Sequence, residues 1–309
     1  MTEVQGFSSP RIILFETVVL IIFHCALAKL GGLRLFFSTH LLAKLSSKDG
    51  DDDKRSDISA TVKSDSQDAD IKKYTNNAKR VSREEKFHLT SQDVVVTISS
   101  TVLFILYLHV LTDADMNSSS EARLFAQSST SIAALQLHIA VTLYETALYI
   151  YMGKDFLGYA HHIVVIMNFS RALSHGTQHF YGAWLGTVEF TNPFLSLTFG
   201  SMRFGLMESL LLKVGTIGMI SSFFFLRVLS LPLCFYVHTS DTASRYGKIK
   251  MGADDRYIDD DRFFWVLGSF SILFLWVLST WWFSKMVSGV IRRQKAMSAA
   301  ATKESKKNC

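Results

Sequence analysis

The 309-residue chain is 49% hydrophobic, with 24 Phe against 3 Pro and a formal charge of +5. Its mean hydropathy of +0.21 is too apolar for an ordinary soluble domain and argues against a water-soluble enzyme. The Lys and Arg residues flank apolar blocks and do not interleave with aromatics, so the basic balance points to membrane orientation and away from nucleic acid. Cys25 and Cys234 lie inside apolar blocks and Cys309 is remote from both, so neither a disulfide framework nor a CxxC metal site is written in the sequence.

In chain order, the first apolar block, residues 11–31, lacks a basic region before it and a small-residue cleavage site after it. It reads as a retained transmembrane anchor (residues 1–31) and not as a signal peptide. Residues 32–90 turn polar after Leu45, with Asp49, Asp51, Asp52, Asp53, Lys54, Arg55, many Ser and almost no aromatics. Such a segment buries too little surface to fold and is expected to be a disordered, charged cytosolic loop. Further blocks cover 91–111, 129–151, 157–173, 176–189, 214–237 and 263–290, most of them near the about 20 residues that a helix needs to cross hydrocarbon. With the anchor they predict an all-α polytopic bundle of about seven transmembrane helices around an interior polar cavity, its main domain at 91–290. The 176–189 block is short and carries Gly176, Gly182, Gly186, Gln178 and His179, so a re-entrant half-span is the alternative. Gly182 and Gly186 form a small-xxx-small pair suited to close helix packing. After it, Asn192 is placed to cap and Pro193 to open a separate interfacial helix over 194–212.

Charge sets the orientation. The basic tail, 291–309, holds Arg292, Arg293, Lys295, Lys303, Lys306 and Lys307 against one acid, Glu304, so it belongs in the cytosol. Seven crossings then make the N-terminus lumenal and the 112–128 segment, whose one basic residue is Arg123, lumenal as well. That segment carries Asn117-Ser118-Ser119, a glycosylation acceptor pattern. The 238–262 loop, with six Asp against five Lys and Arg, has no positive excess and is compatible with the lumen.

Ionisable side chains inside apolar blocks cost roughly 2.5–3.5 kcal/mol each on insertion scales, so they are expected to face the bundle interior. His138 and Glu145 are two helical turns apart on nearly one face, and His161, His162, Arg171, His175, His179 and Glu189 follow. A carboxylate beside an imidazole fixes its tautomer and raises its basicity, as a general base or nucleophilic His requires. Pairing among these groups to set helix register is the alternative role. His175 and His179 have HxxxH spacing, but the remaining His are scattered and no metal site is expected.

His161-His162, then Glu189-Phe190-Thr191-Asn192-Pro193-Phe194, then Arg227-Val228 with Pro232, resembles the TLC-domain family of ceramide synthases, translocating-chain-associating proteins and lipid-linked relatives over about residues 85–290. The resemblance implies a TLC-type bundle. It also implies a candidate catalytic set of His161, His162 and Glu189, with Glu145, Arg171, Asn192 and Arg227 lining a lipid cavity. The synthase motif begins His-His and ends His-Asp-x-x-Asp. Here Val188 stands for its last His, Glu189 for the first Asp and Asn192 for the second, which resembles the non-synthase branch tied to lipid homeostasis. The leading expectation is therefore an endoplasmic reticulum protein that handles acyl-chain lipids without a cofactor. The alternatives are an acyltransferase using His161 or His162 with acyl-CoA as co-substrate, and a non-catalytic trafficking or translocon-associated factor. Lys306 and Lys307 resemble a dilysine retrieval signal, which implies a retrieval coat as partner beside membrane lipids. A monomer and a homo-oligomer are both open.

Overall fold

The computed structural model describes residues 10–29, 83–152, 156–206, 209–250 and 260–307 and among them contains helices and no strand. The elements are α1 (Pro10–Lys29), α2 (Arg83–Thr112), α3 (Ala114–Asn117), α4 (Ser120–Phe125), α5 (Ser129–Met152), α6 (Phe156–His175), α7 (His179–Gly186), α8 (Thr191–Arg203), α9 (Leu210–Phe223), α10 (Ser230–Lys250) and α11 (Asp260–Lys307). A 3₁₀ turn, Thr187–Phe190, joins α7 to α8, and a π-helical turn, Phe224–Leu229, joins α9 to α10. The segment expected to be a charged loop lies outside the described residues as far as residue 82.

Four helical stretches are long and apolar enough to cross a bilayer: Leu89–Thr112, Ser129–Tyr151, Leu210–Tyr246 and Trp265–Arg292. Their packing is inverted relative to a water-soluble domain. Ser99, Ser100, Ser131, His138 and Thr142 are buried, whereas Ile105, Ile217, Phe225, Phe270 and Val277 are exposed. α1 repeats the pattern: Phe15 and Ile22 face outward, while Thr17 and His24 are buried. Thr17 donates to the Ile13 carbonyl at 2.8 Å with its oxygen 3.4 Å from the Ala140 carbonyl of α5, and His24 Nδ1 lies 2.9 Å from the Tyr144 hydroxyl. Apolar side chains outward and hydrogen-bonded polar side chains inward are what hydrocarbon selects, because helix association there rests on packing and interhelical hydrogen bonds.

α2 is the hub. It packs against α1, α5, α7, the 3₁₀ turn and α8, and its fully buried Leu103, Tyr107 and Val110 share a core with Leu135 and Ile139 of α5 and Phe180, Tyr181 and Ala183 of α7. Gly186 permits this approach: a Cβ there would lie 2.0 Å from the Tyr107 ring. A Cβ on Gly182 would lie 2.9 Å from Leu135. The small-xxx-small pair thus serves two different partners, one helix on each.

The segment from His179 to Arg203 differs from expectation. α7, the 3₁₀ turn and α8 run on as one thread, because Gly186, Phe190 and Thr191 all keep right-handed helical backbone. Pro193 is the third residue of α8, within the first turn, where its missing N–H costs little. Asn192 caps nothing, and no separate helix spans 194–212: α8 ends at Arg203 and packs on α2 and α9. An ion pair of 2.6 Å between Arg203 and Asp93 ties α8 to α2. The 238–262 loop is also shorter than expected, since α10 continues to Lys250 and α11 begins at Asp260. α11 carries the helix on through the basic tail to Lys307; the side chains of Lys306 and Lys307 lie outside the described residues.

Candidate functional site

α5 presents His138 and Glu145 two turns apart, about 10 Å along the helix axis. Each meets a different partner. His138 Nε2 lies 3.7 Å from Glu189 Oε1, which the 3₁₀ turn delivers. Glu145 Oε2 lies 3.6 Å from Nε2 of His162 on α6. The imidazole nearest Glu189 is thus His138 and the carboxylate nearest His162 is Glu145, while Glu189 also acts electrostatically on His162. The reason is register. His162 of α6 meets α5 about three turns beyond His138, at Tyr149, whose ring stacks on His162 at 4.8 Å between centroids.

Further hydrogen bonds hold these pairs. The Tyr107 hydroxyl lies 2.8 Å from His138 Nδ1, and Asn192 donates to Glu189 Oε2 at 2.5 Å and to Ser100 Oγ at 3.2 Å. Asn192 thus supplies a neutral donor to the carboxylate at the position where an acid would repel it. At His162 the proton count is informative. Thr146 gives its one hydroxyl proton to the Thr142 carbonyl at 2.6 Å, so Nδ1 of His162, 2.9 Å from that oxygen, must donate to it. Nε2 then faces the Glu145 carboxylate across a gap that a proton, a water or a ligand's hydroxyl or amine hydrogen fits.

Arg227 is brought in by the π turn, a feature that recurs at functional sites because it re-aims one side chain within an otherwise continuous helix. The guanidinium is buried, donating from Nε to Thr191 Oγ1 and from Nη2 to the Val188 carbonyl, both at 3.2 Å, and lies over the Phe223 ring at 4.9 Å. Glu189 and Glu145 both act on it electrostatically, and its charge in turn acts on His161. His161 has its Nδ1 buried without a hydrogen-bond partner and its ring edge-on to Trp282, 6.0 Å between centroids. The structure therefore groups His138, Glu145, His161, His162, Glu189, Asn192 and Arg227. Arg171 stands apart, nine residues or about 13 Å farther along α6, with its guanidinium 3.2 Å from His175. His179 is buried 2.9 Å from Ser131 Oγ while His175 is exposed, so HxxxH forms no shared face. Among the described residues no group of three or more His, Cys, Asp or Glu is arranged to hold a metal ion.

A second polar cluster was not anticipated. Arg123 of α4 grips Asp241 of α10 with both arms, Nε to Oδ2 at 2.7 Å and Nη2 to Oδ1 at 2.9 Å, and the Tyr181 hydroxyl donates to the same carboxylate. That hydrogen-bonded carboxylate holds the Arg123 guanidinium still more firmly protonated. The signal in the sequence was the single basic residue of an otherwise acidic segment. Beside this cluster a groove of about 470 Å³ is lined by Leu111, Asn117, Arg123, Phe180, Trp184 and Val237. Asn117 itself is exposed at the end of α3. A smaller pocket of about 20 Å³ lies behind it, next to His238 and Gln178. Neither cavity is lined by the His–Glu–Arg group.

No curated protein and no solved structure matches the chain. The family model for the TLC domain matches residues 90–288, a span that runs from α2 into α11 and contains both polar clusters. With membrane-length apolar helices on either side of those clusters, the chain is a multi-pass membrane protein that belongs to the TLC-domain family.

Proposed function

We propose that the protein crosses the endoplasmic reticulum membrane seven times, N-terminus lumenal and C-terminus cytosolic, and acts in lipid homeostasis by binding acyl-chain lipids inside the bundle. The observation that carries this reading is the buried group of Glu145, His162, His138, Glu189 and Arg227 with an unpartnered His161 nitrogen beside it. Helix packing alone needs no such set. Two carboxylates, one guanidinium and three imidazoles gathered among apolar helices offer donors and acceptors suited to a ligand's hydroxyl or amine group. Lipidomics of cells lacking the protein, complemented with wild type or with His161→Ala/His162→Ala, tests the reading. Loss of rescue by the double variant at equal protein level supports it; full rescue removes it.

The second reading is a membrane acyltransferase that uses acyl-CoA. It is favoured by His161 Nδ1, a buried imidazole nitrogen free of any hydrogen bond, which in the Nε2-protonated tautomer presents the lone pair that a base or nucleophile needs. Against it stands Asn192, a neutral residue bonded to Glu189 in place of the second acid of the synthase motif. Purified protein that formed ceramide from acyl-CoA and a sphingoid base would replace the first reading with this one.

A further inference from the structure

The groove beside Arg123 lies at the end of α2, away from the His–Glu–Arg group. Leu111 is the penultimate residue of one membrane-length stretch and Val237 belongs to another. The groove therefore opens where the hydrocarbon region gives way to the 113–128 segment. Its walls are apolar. Phe180 is buried, and Trp184 has already spent its indole N–H on Ser230 Oγ at 2.7 Å, which leaves only ring surface to offer. At about 470 Å³ it falls within the range of small-ligand pockets. The polar atoms are confined to one side: the exposed Asn117 amide and the Arg123 guanidinium, whose side chain keeps 21% of its surface accessible.

Charge decides the headgroup. Arg123 is neutralised by Asp241, and the 113–125 segment that carries it also holds three acids in its sequence, Asp113, Asp115 and Glu121. An anionic lipid would bring its net charge into an acidic surround, whereas a zwitterionic phospholipid brings a phosphodiester for the Arg123 and Asn117 N–H groups and a cationic end for the acids. We propose that this groove is a binding site for one zwitterionic phospholipid of the adjoining leaflet, a chain lying along Leu111, Phe180, Trp184 and Val237 and the phosphodiester held at Arg123 and Asn117. The site is separate from the proposed lipid-handling group, and its failure would leave that reading untouched.

The test is photo-crosslinking of the full chain in nanodiscs, using phosphatidylcholine or phosphatidylglycerol that carries the same photoactivatable acyl chain. Phosphatidylcholine should label peptides containing Phe180–Trp184 at least several-fold more strongly than phosphatidylglycerol. Leu111→Trp, which fills the groove, should abolish that labelling with the unfolding temperature preserved. Because a filled groove can disturb packing, a second variant alters only the surface: Asp113→Asn/Asp115→Asn/Glu121→Gln should remove or invert the preference between the two lipids. Equal labelling by both lipids in the wild type, or a preference unmoved by the triple variant, would show ordinary boundary lipid and overturn the proposal.

Discussion

Replacing Gly186 by alanine places a methyl carbon 2.0 Å from Cε2 and 2.3 Å from Cζ of Tyr107. Glycine at this position does not serve backbone freedom, since its φ of −67° and ψ of −22° suit any residue; it serves proximity. The Tyr107 ring is fully buried and cannot swing into solvent, and its hydroxyl is the partner of His138, which faces Glu189. Overpacking of this kind costs about 1–3 kcal/mol. Dragging the hydroxyl from His138 leaves a buried imidazole nitrogen unsatisfied, about 1–3 kcal/mol more, and alanine returns about 1 kcal/mol of helix propensity. The net expectation is a loss of about 3 kcal/mol, read as a fall of the thermal unfolding midpoint in detergent by fluorescence-detected chromatography. Tyr107→Leu removes both the clash and the hydroxyl. In that background Gly186→Ala should cost less than about 1 kcal/mol, because the two residues are in contact and their effects are not additive. Equal costs in the two backgrounds would refute the argument that ring contact drives the effect.

Arg227→Lys keeps the charge but cannot reach Thr191 Oγ1 and the Val188 carbonyl with one fork, so stability should drop by about 1.5–3 kcal/mol; a melting curve like that of wild type would mean that charge alone matters. Asp241→Asn should cost about 2–3 kcal/mol by loosening Arg123 and Tyr181 together, seen as faster proteolysis near residues 113–128, and unchanged cleavage would make the pair incidental. Lys306→Ser/Lys307→Ser should move the protein to later compartments, whereas an unaltered distribution would reduce the two lysines to tail charge.

Hydropathy alone located several elements. The 129–151 and 157–173 blocks correspond closely to α5 and α6, because apolar residues predominate through each and polar or glycine residues bound them. Where helix continues through polar sequence, the pattern was illegible. α10 runs past Asp241 and Arg245, both buried, because Arg123, 118 residues away in sequence, neutralises Asp241. Local polarity therefore read as loop what tertiary pairing keeps as helix. The same limit applies to the site. The members Glu145, His161, His162, Glu189, Asn192 and Arg227 could be chosen for their ionisable or polar chemistry inside apolar blocks. Which carboxylate meets which imidazole depended on the registers of α5 and α6 and on the 3₁₀ turn that aims Glu189, and no spacing encodes those.

The thread from α7 to α8 is fastened to the long α9–α10 helix at two points. Tyr181 is bonded to Asp241 at one end, and Thr191 and Val188 to Arg227 at the other. Ten residues of one helical rod are pinned against fourteen of the other, running in opposite directions, with anchorages about 20 Å apart along the longer one. Arg227 of the His–Glu–Arg group and the Asp241 that holds Arg123 at the groove are therefore fastened to the same two helical segments, one near each end of the shared stretch.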